Sequence, residues 1–231
     1  QSPCRENLLG SDCILYVYKS LSYILYAMIK ANHTFWGGLF FRYYTAIRLR
    51  RHFRFIRFEG DVKDNGLPIL MIANHFSWWD GFIQLYTNER FFKRRFFVMM
   101  LEQQLKKHPI LTYAGAFSIR KNARNVVESL DYALQVLTSN QQLLLLFPQG
   151  EIKSLYTSDI RFERGLEYML GKRMNEIQLV FNVNLIDYFS DNKPGLTVYL
   201  KEFPLRDITS LERIEDEFNL FAAACKLKQR E

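Results

Sequence analysis

The chain has 231 residues, with 31 Lys and Arg against 24 Asp and Glu, a net charge of +7, and 16% of its residues are aromatic. The length is that of one α/β domain. A composition of 48% hydrophobic and 24% charged residues excludes disordered and fibrous proteins. A basic, aromatic-rich chain indicates an anionic partner, either nucleic acid or the anionic face of a membrane.

The cysteines predict neither a disulfide framework nor a metal site. Cys4, Cys13 and Cys225 are odd in number and lack C-x-x-C spacing. We therefore expect a reducing, intracellular setting and no metal. The polar residues 1–12 do not follow the order of a secretory signal.

Two helical patterns open the chain. The first spans Cys13–Lys30, where apolar residues recur at three- and four-residue steps, and its polar interruptions disfavour a transmembrane span. The second runs from Trp36 to Ile47. We expect residues 1–52 to form an N-terminal amphipathic helical pair that associates with a membrane. Residues 53–231 are expected to form the α/β domain.

Six arginines and no acidic residue lie between Arg42 and Arg57, interleaved with aromatic residues. Three interpretations stay open: a solvated helix face running into an edge strand, an interfacial element on anionic lipid, or a nucleic-acid arm. The last lacks any downstream helix-turn-helix, RRM or zinc-finger signature. The residues predicted to face the membrane are Trp36, Phe40, Arg42, Tyr43, Arg48, Arg50 and Arg51.

Beyond residue 53, strand-like and helix-like segments alternate, which predicts the α/β class: a mostly parallel central sheet flanked by helices. The predicted strands are Phe53–Phe58, Pro68–Ala73, Phe96–Leu101, Ala116–Ile119, Leu143–Phe147, Ile177–Asn184 and Leu196–Phe203. The predicted helices are Trp79–Asn88, Glu102–Lys107, Ala123–Ser139, Phe162–Arg173 and Ser210–Gln229.

His75 follows a strongly apolar strand and precedes Asp80 by five residues. The carboxyl ends of strands are where α/β sheets bind ligands, so His75 is well placed to act as a base. On one helix the two side chains would point apart. They can pair only if His75 lies in the turn before the helix and Asp80 in its first turn. Ser77 makes this plausible as the N-cap of a capping box with Asp80. Taken alone, the two residues also fit a helix cap and a buried histidine.

Two further blocks end strands. Phe147-Pro148-Gln149-Gly150-Glu151 is a tight turn after an apolar strand, and Gly115 to Ile119 leads into Arg120 and Lys121. An arginine at this place is suited to binding phosphate, because its planar guanidinium can donate paired hydrogen bonds to two phosphate oxygens. Taken singly, the first is an ordinary turn and the second an ordinary surface pair.

In order and spacing, the three blocks resemble the glycerolipid and lysophospholipid acyltransferase family, which includes the 1-acylglycerol-3-phosphate acyltransferases. That family is marked by N-H-x-x-x-x-D, by G-x-x-x-I-x-R or a near variant, and by F-P-E-G-T-R. The matching residues are His75 and Asp80, then Gly115, Ile119 and Arg120, then Phe147, Pro148 and Gly150.

The resemblance implies transfer of an acyl group from an acyl thioester, acyl-CoA or acyl carrier protein, to an acceptor hydroxyl, without a further cofactor. It implies that His75 is the general base and that Asp80 orients its ring. It also implies membrane lipids as partners, no nucleic acid, and a peripheral or monotopic location on the cytoplasmic face of a membrane. The implied substrate-binding residues are Arg120, Lys121, Phe147, Pro148, Gln149, Gly150, Glu151 and Lys153.

The third block departs from the family pattern. Gln149 stands where the family has glutamate, and Glu151-Ile152-Lys153 replaces the T-R pair. Both a phosphate-bearing acceptor and a lysolipid with another head group therefore stay open. The departures also leave an alternative from another class, a non-catalytic lipid-binding protein on a degenerate acyltransferase fold.

Overall fold

The computed structural model describes residues 28–120, 123–173, 176–205 and 210–230. The strands are β1 (Ile56–Glu59), β2 (Ile69–Ala73), β3 (Arg95–Leu101), β4 (Ala116–Ile119), β5 (Gln142–Leu146), β6 (Gln178–Asp187) and β7 (Gly195–Phe203). The helices are α1 (Phe35–His52), α2 (Asp80–Phe91), α3 (Glu102–Lys107), a 3₁₀ helix (Pro109–Ala114), α4 (Ala123–Val136), α5 (Gly165–Arg173) and α6 (Leu211–Leu227).

Within the described residues the strands form one seven-stranded sheet in the order β1-β7-β6-β2-β5-β3-β4. Strands β2 to β6 are mutually parallel, β7 runs antiparallel to β6, and β1 runs parallel to β7. The link between β6 and β7 is too short for the crossover that a parallel pair needs, so these two strands form an antiparallel pair. The predicted α/β class with a mostly parallel sheet is confirmed.

Helices cover both faces of the sheet because successive side chains of a strand point to opposite sides. In β2, Leu70 and Ile72 join a core with α4, α5 and α6, whereas Ile69 and Met71 join a core with α1 and α2. Every residue of β2 is buried. The carboxyl ends of the five parallel strands meet at one edge of the sheet, where α/β proteins bind ligands.

Most element boundaries differ from the predicted ones by one to three residues, and three of the differences have a clear local reason. Strand β1 starts at Ile56, later than predicted, because α1 continues to His52 and the Phe53 N–H still bonds to the carbonyl of Leu49 at 2.9 Å. Helix α5 starts at Gly165 because the Glu215 carboxylate holds the Phe162 N–H at 2.6 Å, outside the helix. Strand β5 ends one residue before Phe147, whose ring contacts His75 instead.

The predicted helix Cys13–Lys30 lies mostly outside the described residues. Its last three residues are described and are not helical. Ile29 instead exchanges hydrogen bonds with Ser118: its N–H reaches the Ser118 Oγ and its carbonyl accepts the Ser118 N–H, both at 2.8 Å. In the described part of the chain, no helix combines the length and apolar character needed to cross a bilayer.

Candidate active site

The site begins where the buried strand β2 ends. The side chain of Asn74 bonds to the backbone of Asn184 in both directions: Nδ2 donates to the carbonyl at 2.9 Å, and Oδ1 accepts the N–H at 2.8 Å. A side-chain amide thus replaces the ladder hydrogen bonds that the backbone would make if the strand continued. The chain can therefore turn away from the sheet at His75 while staying attached to β6.

His75 and Asp80 are in direct contact. His75 lies in the turn, Asp80 is the first residue of α2, and Nδ1 lies 2.8 Å from Oδ2. The Asp80 side chain is 0% exposed, whereas 21% of the His75 side chain is exposed. The same Oδ2 accepts the N–H groups of Phe76 at 2.7 Å and Ser77 at 2.8 Å. Three donors on one buried oxygen hold the imidazole in one orientation and leave Nε2 as the ring nitrogen available for chemistry.

The predicted capping box is only half formed. Asp80 does reach back to the Ser77 N–H, but the Ser77 Oγ accepts from Trp79 at 3.1 Å and not from Asp80. Helix α2 consequently starts at Asp80 with no side-chain cap. The prediction of Ser77 as N-cap is wrong because the turn that holds His75 displaces the start of the helix.

The turn after β5 supports His75 from below. The Phe147 ring stacks on the imidazole, with centroids 4.1 Å apart and planes 16° apart. Gln149 is buried, and its Oε1 accepts the His75 N–H at 2.6 Å. The Lys153 N–H donates to the His75 carbonyl at 2.9 Å. Three predicted substrate-binding residues thus contact His75.

The other residues of this turn have different surroundings. The Pro148 carbonyl accepts the Glu163 N–H at 2.8 Å. Gly150 has a φ of +66°, which favours glycine. The Lys153 Nζ lies 3.4 Å from the Glu151 carboxylate at the surface.

Arg120 directly follows strand β4, which lies three strands from β2, or about 14 Å at the usual strand spacing. Its guanidinium pairs with Glu102 through Nε and through Nη2, the second at 3.0 Å, and Lys106 pairs with the same carboxylate. The structure therefore places Arg120 on the same sheet edge as His75 but outside the His75 turn. Lys121 lies outside the described residues.

The residues predicted to face a membrane lie on α1. Trp36, Phe40 and Tyr43 are exposed, with Trp36 at 75%, and Ile47 continues their face. Arg42 pairs with Glu89 at 2.8 Å, and the Arg48 guanidinium lies 5.2 Å from the Trp79 ring. Arg50 and Arg51 are exposed in the last turn of the helix.

Several residues that the structure places at or near the site were missed by the sequence analysis, and only some of them have a signal in the sequence. Asn74 stands in the first motif, and its position before His75 was the available signal. Glu102 directly follows β3, so the rule that parallel strands end at one edge could have brought it to Arg120. Nothing in the sequence marks the buried pair in which Gln84 Nε2 donates to Asn182 Oδ1 at 2.8 Å.

The described residues contain no group of three or more His, Cys, Asp or Glu side chains arranged to hold a metal ion. One imidazole, of His75, and one carboxylate, of Asp80, do meet at the His75 turn. Such a pair has the chemistry of a general base with its orienting carboxylate. Neighbouring backbone amides are already used within the protein, by Asp80 and Gln149.

Comparison with known proteins identifies a family and a similar fold. The model of the family described as Acyltransferase matches residues 55–176. The fold is similar to the crystal structure of the 1-acyl-sn-glycerophosphate (LPA) acyltransferase PlsC from Thermotoga maritima, with a TM-score of 0.56 and 14% identity, over 82% of this chain and 79% of that one. A search of curated protein sequences gives no significant match.

Proposed function

Since the chain belongs to the acyltransferase family, we propose that it moves a fatty acyl group from an acyl thioester, acyl-CoA or acyl carrier protein, to a hydroxyl of a lysophospholipid-like or other lipid acceptor. The observation that carries this proposal is the contact between His75 and the buried Asp80 at the carboxyl edge of the sheet. A partly exposed imidazole held by a buried carboxylate is the arrangement of a general base.

His75 Nε2 takes the proton of the acceptor hydroxyl while the hydroxyl oxygen attacks the carbonyl carbon of the thioester. The new ester C–O bond forms, the C–S bond breaks, and the imidazolium returns its proton to the thiolate that leaves. Asp80 holds Nδ1 throughout and stabilises the imidazolium. Positioned proton transfer of this kind typically contributes about 10²–10⁴-fold.

No cysteine nucleophile is needed in this scheme. Burial in the core raises the pKa of the Cys225 thiol to about 12, so this side chain forms little thiolate at neutral pH. Cys225 lies on α6, and its side chain is buried in the core between this helix and the sheet.

We assign the oxyanion of the tetrahedral intermediate to backbone N–H groups of the turn after β5. The backbone N–H groups of the His75 turn are not available for this role, because those of His75, Phe76 and Ser77 already donate to Gln149 and Asp80. A positive φ, as at Gly150, is typical of turns whose successive N–H groups converge on an anion. Such donors contribute most when they are fixed before the charge develops.

We further propose that α1 docks the enzyme peripherally or monotopically on the cytoplasmic face of a membrane. Trp36, Phe40, Tyr43 and Ile47 follow steps of four, three and four residues, which align on one helix face, and all four are exposed. The buried residues Phe41, Thr45 and Leu49 lie on the other face. Arg50 and Arg51 supply the positive charge that an anionic leaflet attracts.

Arg120, Lys121 and Lys153 are our candidates for contacts to the head group of the acceptor or to the donor. Arg120 forms an ion pair with Glu102, and Lys153 lies near the carboxylate of Glu151. Because these carboxylates offset part of the positive charge, little of it is left to bind a phosphomonoester. This favours an acceptor whose head group carries less charge. A lysolipid panel with phosphomonoester, phosphodiester and neutral head groups distinguishes these acceptors.

The proposal is tested by incubating purified protein with radiolabelled acyl-CoA or acyl carrier protein and that panel. We expect transfer to at least one acceptor and a loss of about 10²–10⁴-fold in His75→Ala. The exposed His52 at the end of α1 provides the matched control, His52→Ala. Absence of transfer to every acceptor contradicts the proposal. Full transfer by His75→Ala contradicts the role of His75, whereas lipid binding by both proteins without transfer by either supports a non-catalytic lipid-binding protein.

A further inference from the structure

A basic groove separates α1 from α2, away from the His75 turn. Its volume is about 160 Å³, about five times the roughly 30 Å³ that a water molecule occupies in the liquid, so a tetrahedral phosphate group fits. Its polar lining consists of Arg42, Thr45, Arg50, Tyr86, Glu89 and Arg90.

The charge of this groove is unbalanced. Arg42 pairs with Glu89 at 2.8 Å, which cancels one positive charge. Within the described part of the chain, no ion pair involves Arg50 or Arg90. Two guanidinium groups therefore line one concave surface without a carboxylate of their own. Guanidinium groups bind phosphate through paired, charge-assisted hydrogen bonds.

Thr45 adds an independent observation. Its side chain lines the groove and is 1% exposed, yet its Oγ1 has no hydrogen-bond partner among the described residues. A buried hydroxyl without a partner destabilises a protein, and an oxygen-rich ligand in the groove would accept this O–H.

The groove is separate from the reaction site. Helix α2 starts at Asp80, and Tyr86 and Arg90 lie six and ten residues further on, which is about 9–15 Å along the helix axis. In a lysophospholipid only a few bonds separate the reacting hydroxyl from the phosphate. One acceptor molecule therefore does not place its hydroxyl at His75 and its phosphate in this groove.

We propose that this groove binds the phosphate group of a membrane phospholipid that is not the acceptor. The inference rests on the membrane docking of α1 proposed above, because the exposed residues Tyr43 and Ile47 belong to the helix that forms one wall of the groove. The apolar face of α1 contacts acyl chains, and the arginines of the groove hold a head group beside them.

The first arm of the test uses a soluble probe, inorganic phosphate, titrated calorimetrically at constant ionic strength. We expect binding that weakens about tenfold in Arg90→Gln and about threefold in Thr45→Val. Lys228→Gln removes the same charge from an exposed site at the end of α6 and is expected to change the affinity less than twofold. Arg50→Gln serves as a second groove variant if Arg90→Gln does not fold. Equal losses in the groove variants and in the control overturn the proposal, as does absence of phosphate binding.

The second arm distinguishes a lipid head group from free phosphate. Vesicles of digalactosyl diacylglycerol, which lacks phosphate, carry either phosphatidylglycerol or oleate as the anionic component. We expect about tenfold tighter binding to the phosphatidylglycerol vesicles, and loss of this preference in Arg90→Gln. Binding of inorganic phosphate without this preference assigns the groove to free phosphate and overturns the lipid proposal. Tight binding to both kinds of vesicle, without preference, leaves the docking of α1 intact and overturns the groove alone.

Discussion

At the scale of single residues, Gln149 shows how a motif can lose a charge and keep a hydrogen bond. The family pattern has glutamate here, and the glutamine of this chain places an amide beside the His75 turn. The Gln149 Oε1 still accepts the His75 N–H at 2.6 Å. A glutamine can therefore position the turn as a carboxylate would, and the departure does not by itself make the site degenerate.

We predict that Gln149→Leu lowers the free energy of unfolding by about 1–3 kcal/mol, because it leaves the partly buried His75 N–H without its acceptor. Acyl transfer is expected to fall as well, since the histidine loses its support. Gln149→Glu restores the acceptor and should retain both stability and transfer. Urea unfolding and the transfer assay measure the two effects. A stable, fully active Gln149→Leu would contradict the positioning role.

The orientation of His75 rests on one oxygen of Asp80. We predict that Asp80→Asn slows acyl transfer by about 10²–10⁴-fold, because a neutral amide does not stabilise the imidazolium and, carrying both a donor and an acceptor, no longer fixes the imidazole tautomer. The rate constant of transfer and the melting temperature are measured together. Asp159→Asn, at an exposed surface carboxylate, is the control and should retain full activity. Loss of folding alone, without a specific loss of rate, would argue against the assigned role.

At the scale of elements, the segment before α1 is attached to strand β3 through His33. Its Nε2 bonds to the Phe96 carbonyl at 2.8 Å, and its ring packs edge-on against Phe97 at 4.6 Å. Burial lowers the pKa of His33, and the nearby Arg95 charge lowers it further, although the bond to Phe96 opposes the shift. The folded state therefore holds this imidazole neutral more strongly than the unfolded chain does.

This attachment predicts a loss of stability in acid. Above the unfolded pKa of 6.5 the stabilisation is fully present. As the pH falls below that value, the unfolded chain binds a proton that the folded chain does not, so stability decreases by at most about 1.4 kcal/mol per pH unit until the folded pKa is passed.

Urea unfolding at pH 7.5 and pH 5.5 measures this effect. His33→Gln keeps a donor for the Phe96 carbonyl but does not titrate, so it should show a smaller difference between the two pH values. The other histidines are present in both proteins and cancel in the comparison. Equal differences in the two proteins would show that His33 does not contribute.

At the scale of the whole molecule, the aromatic excess divides between core and surface. Phe117, Phe181 and Phe218 are fully buried, whereas Trp36 and Phe40 are exposed on α1. Exposed aromatic residues aligned on one helix face, beside arginines, are typical of an interface. The positive charge and the aromatic residues of the opening segment are thus on the same side of the protein.

We predict that the double variant Trp36→Ser/Phe40→Ser binds anionic vesicles at least about tenfold more weakly, since burying each such side chain in an apolar phase contributes about 1.5–3 kcal/mol. Its melting temperature should change little because both side chains are exposed. Vesicle sedimentation measures the binding. Leu220→Ser removes an exposed apolar side chain from α6, on the opposite face of the sheet, and should bind like the wild type. Undiminished binding in the double variant would exclude α1 as the docking face.

Much of the fold followed from local patterns. The run Leu143–Leu146 predicted a strand buried on both faces, and the structure places it as β5 between β2 and β3. Such runs are informative because only a strand covered on both faces buries every side chain. The direction of β1 and β7 did not follow, because it depends on the short link between β6 and β7.

The sequence by itself determined the strands, the α-helices after residue 53 and the order of the three motifs, since these depend on hydrophobic periodicity and on residue identity. It also limited His75 and Asp80 to one arrangement in which they can meet. Only the tertiary structure decided that Gln149 supports His75, that Glu102 pairs with Arg120, and that Arg50, Arg90 and Thr45 line one groove. Those contacts join residues distant in the chain, and the packing of strands and helices that brings them together leaves no periodic signal in the sequence.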